Sequence, residues 1–182
     1  EKMPDKDKAQ SSSVIIGMAR IIGLNFTPNL QLIAMHKIGI CTDHGGFDMK
    51  TSLKSWLEGQ GYEVVDYGAY EMDPKDDFPD FVIPLARAQS AGEIDRGICI
   101  CGSGVGACIA ANKVRNVRAC MVMDTYSAAQ GVEHDDMNVI CLGGRIIGIA
   151  LAQELVKAFL GAEYAGLERQ RRRMGKVAAL EK

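Results

Sequence analysis

Strand-like and helix-like segments alternate at an even pace from Lys37 to Leu160, which predicts an α/β domain on a mainly parallel, five-stranded sheet. Two further observations point the same way. Glycine-bearing loops follow the first, third and fifth apolar runs, and apolar residues at three- and four-residue steps fill the stretches between runs. At 182 residues, 47% hydrophobic and 24% charged, the chain suits one globular domain, or one domain plus a tail.

The elements follow in order. Lys37 to Thr42 (KIGICT) reads as the first strand, ending in the loop Asp43-His44-Gly45-Gly46. Phe47 to Gln60 carries Met49, Leu53, Trp56 and Leu57 on one helical stripe that Gly61 can end. Tyr62 to Tyr67 is the second strand, and an acidic loop from Glu71 to Asp77 leads to Pro79, which can open a helix to about Ser90. Gly97 to Cys101 is the third strand, followed by a tight glycine turn and a helix to about Lys113. Val117 to Met123 is the fourth strand, Ser127 to Glu133 a short helix, and Asn138 to Leu142 the fifth strand. A helix from about Ile147 to Leu160 and a polar, very basic segment from Glu163 to Lys182 complete the chain. Residues 1–34 lack a sustained pattern and read as a weakly ordered extension to a domain at 35–182. Ser13 to Leu24 can form a short amphipathic helix; no secretory signal is assembled, and Arg20 with the serines leaves an organellar presequence as a second reading.

Composition excludes several functions. A net charge of −2 provides no field for a nucleic-acid backbone, so no nucleic-acid partner is expected. The longest apolar stretches are broken by Arg20, Asn25 and Lys37, so no membrane span is expected. The six cysteines, at 41, 99, 101, 108, 120 and 141, lie in apolar runs rather than in the loops of a stapled secreted domain, which suits the reducing cytoplasm. Cys99 and Cys101 share a strand face, yet no second pair or nearby His completes a zinc set, so no metal is expected.

Loops at the carboxyl ends of parallel strands share one edge. The sequence reading assigns to that edge Asp43 and His44, Cys101 with its glycines, Asp124, and the stretch from His134 to Arg145. Gly102-x-Gly104-x-x-Ala107, with Asp124 about twenty residues on, also fits a dinucleotide fingerprint, so a dinucleotide-binding module is a rival reading. The same backbone N–H groups, at a helix start, can bind a phosphate, an enolate or a thiolate. Cys101 stands directly before them, where the positive helix end favours a thiolate, while its strand position equally suits an inert buried thiol. Arg169, Arg171, Arg172 and Arg173, with Arg145, can clamp a phosphate through forked hydrogen bonds or form only a solvated face.

Five ordered motifs then decide the matter: CTDHGGFDMK (Cys41 to Lys50), GICICGSGVGACIAANKV (Gly97 to Val114), EHDDMNV (Glu133 to Val139), GGRIIG (Gly143 to Gly148) and RQRRR (Arg169 to Arg173). Together they resemble ribose-5-phosphate isomerase B and its relatives, including the galactose-6-phosphate isomerase subunits. The resemblance implies a Rossmann-like three-layer α/β/α sandwich and no cofactor. It implies a homodimer or tetramer of dimers with shared active sites, and a small phosphorylated sugar as substrate. It places the base that moves a proton between sugar carbons on Cys101, and ring opening on Asp43 and His134. Enediolate stabilisation falls on the N–H groups of Gly102, Ser103, Gly104, Val105 and Gly106, with Ser103 keeping the hydroxyl of the family's usual Thr. Phosphate contacts fall on His44, Arg145, Arg169 and Arg173.

Two positions depart from the family pattern. Asp135 replaces an Asn that would face the substrate, and an ionised carboxylate there repels developing negative charge, where losing a donor costs on the order of 100-fold in rate. Phe78 replaces a Tyr. The reading is therefore a metal-independent aldose-ketose isomerase of ribose 5-phosphate and ribulose 5-phosphate. Its alternatives are the same chemistry on a four- or six-carbon sugar phosphate, or a sugar-phosphate binder without turnover.

Overall fold

The computed structural model describes residues 36–181; the expected extension over residues 1–34 and its helix from Ser13 to Leu24 lie outside the described residues. Strand β1 (Lys37–Thr42) is followed by a 3-10 turn (His44–Gly46) and helix α1 (Phe47–Gly59). Then come β2 (Glu63–Asp66), α2 (Pro79–Ala91), β3 (Arg96–Cys101) and α3 (Val105–Ala111). The order closes with β4 (Ala119–Met121), α4 (Thr125–Asp135), β5 (Val139–Gly143), α5 (Ile149–Gly161) and α6 (Glu168–Ala178). The strands order β2-β1-β3-β5-β4, and every pairing is parallel. The sheet expected to be mainly parallel is entirely so, and the carboxyl ends of its strands share one edge.

Alternation along the central strands sorts the two faces. Ile38, Ile40, Ile98, Ile100, Ile140 and Leu142 form one face and pack with Leu53 and Leu57 of α1, Val132 of α4, and Leu155 and Phe159 of α5. Cys41, Cys99, Cys101, Val139 and Cys141 form the other, beneath Val82 and Leu85 of α2 and Ala107 and Ala111 of α3. Small residues on this second face let α2 come close: a Cβ on Gly97 would lie 2.7 Å from Leu85. The result is the expected three-layer α/β/α sandwich.

Boundaries move where side chains compete with the backbone. Pairing of β4 starts at Ala119 rather than Val117, because the Arg118 N–H donates to Asn138 Oδ1 at 2.8 Å. Helix α4 starts before Ser127, because the Asp124 carboxylate caps it by accepting the Ser127 N–H at 2.7 Å. The basic segment read only as polar is helical from Glu168 to Ala178; its Gln170 is buried, and Gln170 Oε1 accepts the Leu167 N–H at 2.8 Å. Among the described residues no helix is long and apolar enough to cross a membrane.

One buried cation fixes the end of β1. Lys50 Nζ donates to both Asp66 oxygens, at 2.8 and 3.0 Å, and to the Ala69 carbonyl at 2.6 Å. The turn it holds is laddered to β1, with the Thr42 N–H donating to Gly68 O and the Ala69 N–H to Thr42 O, each at 2.8 Å. That anchors the residue directly before Asp43. Burial pushes the Asp66 carboxyl upward, but Lys50, the Gly68 N–H and Lys54 outweigh it and hold it below the ordinary carboxylate range.

Asp66→Asn strands the Lys50 ammonium and is expected to destabilise the protein by about 3 kcal/mol at pH 7. Because the folded Asp66 carboxyl lies below its unfolded value, its contribution is present above that unfolded value and lost as pH falls through the folded one. Urea unfolding of both proteins from pH 7 towards pH 3 should therefore show the gap closing at the acid end.

Candidate active site

Three loops meet at the carboxyl edge, and they meet backbone to backbone. A Cβ added to Gly45, after β1, would lie 2.6 Å from Gly102 N after β3 and 3.0 Å from Asp43 Oδ1. A Cβ on Gly144, after β5, would lie 2.6 Å from Gly46 Cα. Hydrogen bonds join the same loops, with the Gly144 N–H donating to Cys101 O at 2.9 Å and the Arg145 N–H to Gly102 O at 3.0 Å. Arg145 is exposed and lies along the β3 loop, its guanidinium 3.6 Å from where a Gly102 Cβ would stand.

Cys101, the last residue of β3, is buried, and its Sγ accepts the Gly104 N–H at 3.1 Å. Gly104 makes that turn with φ +84°, and a Cβ there would come 3.0 Å from the Leu142 carbonyl carbon. Helix α3 begins at the next residue, so the N–H groups of Val105, Gly106 and Ala107 have no carbonyl partner within the helix. Ser103 is exposed, and its Oγ accepts the Val105 N–H at 3.3 Å. The Phe78 ring lies against this loop, 3.0 Å from where a Gly106 Cβ would be.

Asp43 is buried, and its Oδ1 accepts the Gly45 N–H at 2.8 Å. His44 is tied to a residue the sequence reading passed over, since Asp76 Oδ1 accepts the His44 backbone N–H at 3.0 Å and lies 2.7 Å from its Nδ1. Asp76 belongs to the acidic loop after β2, which the sequence reading left out of the converging set. Only its place among neighbouring acids marked it. Asp43, His44 and Asp76 bring His and carboxylate ligand atoms within 4.8 Å of one another, a spacing that can hold a metal ion.

The remaining expected site residues do not join them within one chain. His134 and Asp135 precede β5 and end α4, which starts at the carboxyl edge after β4 and returns to the amino edge. Arg118, at the amino end of β4, donates to Asp136 Oδ2 at 2.6 Å, which fixes the turn directly after Asp135. The placement of His134 and Asp135 in the crevice is thus corrected: a loop before a parallel strand lies at the opposite edge from a loop after it. Helix α6, with Arg169 and Arg173, lies at this amino edge too. Its Arg171, Met174 and Val177 line a cavity of about 280 Å³ with Asn116, Arg118 and Asp136.

The dinucleotide reading fails on topology. A fingerprint needs the acid at the end of a neighbouring strand, but β5 stands between β3 and β4. Asp124 is already the cap of α4, with the Ser127 N–H holding its carboxyl below the ordinary range.

Comparison with known proteins agrees with the geometry. A model of the family described as ribose/galactose isomerase matches residues 38–177. The chain is 41% identical over 147 residues to a probable ribose-5-phosphate isomerase B of Mycoplasma pneumoniae, covering 81% of this chain and 96% of that one. It is 39% identical over 132 residues to a D-erythrulose-4-phosphate isomerase of Pectobacterium atrosepticum, covering 72% and 87%. A ribose-5-phosphate isomerase B from Mycoplasma genitalium, solved with bound ribulose-5-phosphate, aligns with a TM-score of 0.75 at 38% identity, covering 80% of this chain and 95% of that one.

Gly45→Ala forces the β1 and β3 loops apart and is expected to destabilise the fold by about 1–3 kcal/mol. Thermal unfolding measures it, and Gly59→Ala, with nothing within 4 Å of the added Cβ, is the control that should leave the melting temperature unlowered.

Proposed function

The chain belongs to the ribose/galactose isomerase family and is a sugar-phosphate isomerase of the aldose-ketose type; we propose that it interconverts ribose 5-phosphate and ribulose 5-phosphate, with Cys101 as the base. The observation that supports this reading is the position of Cys101 Sγ, which accepts the Gly104 N–H at 3.1 Å at the mouth of a loop rich in backbone donors. In the open-chain aldose, the Cys101 thiolate takes the proton from C2 and the electron pair moves onto the C1 oxygen, giving an enediolate. The proton of the C2 hydroxyl passes to the C1 oxygen, and as the C2 oxygen re-forms a carbonyl the Cys101 thiol gives its proton to C1, which completes the ketose and regenerates the thiolate. N–H groups of the Gly102 to Gly106 loop that Cys101 and Ser103 do not engage, Gly106 among them, stabilise the negative oxygen between the two steps. Asp43 accepts the anomeric hydroxyl proton during ring opening. No metal or cofactor enters this sequence of proton transfers.

His134, Asp135, Arg169 and Arg173 stand at the other edge of their own chain, so the reading includes a homodimer, or a tetramer of dimers, in which they serve a neighbour's crevice. The partner subunit's His134 protonates the ring oxygen, and the partner's Arg169 and Arg173 join His44 and Arg145 at the phosphate. Apolar exposure supports such a contact. Val105 (47%) and Ile109 (58%) on α3 and Met121 (36%) on the edge strand beside it stay open to solvent. Residues 35–182 form the catalytic domain in this reading. Six free cysteines suit the reducing cytoplasm.

A second reading, a four- or six-carbon sugar phosphate, is favoured by Asp135 and Phe78, which replace groups able to donate to a substrate oxygen. The relative named D-erythrulose-4-phosphate isomerase shows that such substrates occur among similar chains.

Ribose 5-phosphate turnover, measured with chelator present, should fall by on the order of 10²–10⁴-fold in Cys101→Ala. Asp135→Asn should keep or raise it; activity on another sugar phosphate alone moves the reading to that substrate, and full activity in Cys101→Ala removes the base. Mixing inactive Cys101→Ala with inactive His134→Ala should restore turnover, because hybrid dimers rebuild one intact site. Absence of restoration, with subunit exchange demonstrated, removes the shared site.

A further inference from the structure

We propose that Asp76 is a positioning residue: it holds the His44 ring with its proton on Nδ1, so that Nε2 is the atom presented to the phosphate of the substrate. The proposal rests on the isomerase reading and adds to it a residue that touches no reacting atom.

One oxygen does both parts of the holding. Asp76 Oδ1 accepts the His44 backbone N–H at 3.0 Å and stands 2.7 Å from His44 Nδ1. An ionised carboxylate is an acceptor only, so the short ring contact requires a proton on Nδ1. Gripping the backbone and the ring at one atom fixes the rotation of the imidazole as well as its tautomer. The two groups are set at different depths, with the Asp76 side chain 9% exposed and the His44 side chain 28%. The carboxylate is therefore the buried support, and the ring is the part that meets a ligand.

Asp76 Oδ2 strengthens the case. It is buried without a hydrogen-bond partner among the described residues. Such placement is unfavourable for a carboxylate oxygen, and a group kept there needs a reason beyond packing. The His44 clamp supplies one. With Nδ1 engaged by Asp76, Nε2 is the ring nitrogen left to face the ligand, where it can exchange a hydrogen bond with a phosphate oxygen or hydroxyl while Nδ1–H continues to donate to Asp76. Without the carboxylate the ring turns freely and carries its proton on either nitrogen, and part of phosphate binding is then used to set it.

Long-range proton-nitrogen NMR of the full chain reads the tautomer directly. The chain has 3 histidines, and His44→Gln assigns the relevant one. At alkaline pH, wild-type His44 should show the Nδ1–H form, Asp76→Ala should change to mainly Nε2–H, and Asp76→Asn, whose amide oxygen can still accept, should keep Nδ1–H. Steady-state kinetics should show KM for ribose 5-phosphate raised about tenfold in Asp76→Ala with kcat within about twofold, and Asp76→Asn nearer the wild type. Calorimetry should show inorganic phosphate weakened in parallel. An Nε2–H ring in the wild type, or an Asp76→Ala protein with unchanged tautomer, KM and phosphate affinity, overturns the proposal. If the wild type turns over no sugar phosphate, the isomerase reading falls, while the tautomer and phosphate measurements still judge the clamp.

Discussion

Backbone contact among the loops after β1, β3 and β5 is the constraint on which the rest of the site depends. Gly45 and Gly144 bring their loops closer to Gly102 and Gly46 than side chains at those two positions would allow. The central register makes this possible, because Cys41 lies opposite Cys99, Cys99 opposite Cys141, and Cys101 opposite Gly143. With the strand ends level, each loop delivers one kind of chemistry to the same place: Asp43 and His44 from the first, the thiol and its N–H donors from the second, Arg145 from the third. A residue added to any one strand would carry its loop about 3.3 Å out of line.

The same register explains why one cysteine in a row of similar ones is available for chemistry. Cys41, Cys99 and Cys141 are fully buried on the face beneath α2 and α3. At Cys99 the Cys141 thiol pulls the pKa down, but the Cys41 thiol, 3.6 Å away, and burial push harder, leaving it well above the usual thiol range. Cys141 follows the same balance, with Cys108 pulling down and Cys99 and burial pushing up. These remain small apolar packing units. Cys101 belongs to that face but stands at its rim, where the chain turns and presents an N–H to the sulfur. Its distinction lies in position at a strand end, not in residue type.

Much of this was legible in the sequence, because strand alternation and glycine loops are local signals. The short continuous apolar runs in GICIC and VICLG marked β3 and β5, and the glycines marked the turns that follow. Strand order was not legible, since nothing local to β4 tells that β5 inserts between it and β3. Asp76 was hidden for a related reason: its partner is 32 residues away, and one acid in a run of acids has no pattern of its own. The grouping of His134 with the crevice was an error of topology rather than of information. A residue five positions before β5 belongs to the amino edge of a parallel sheet, and its helix α4 could reach nowhere else.

That two-edged distribution bears on what sets the substrate. Reaction class follows from the carboxyl edge, where a thiol, a carboxylate and backbone donors sit at fixed separations within one chain. Substrate length is a different quantity, being the span from the reacting carbons to the phosphate. Under the proposed assembly, part of the phosphate site comes from α6 of a neighbouring copy, so this span depends on how two copies pack as well as on the loops. A small shift of α6 against the crevice changes the accommodated sugar by a carbon without touching the base. Relatives named for five-carbon and four-carbon sugar phosphates fit this division, sharing about 40% of residues with this chain. Cys101, held at the end of β3 inside the crevice, is then the fixed end of the measure, and the arginines of α6 are the adjustable part of the other.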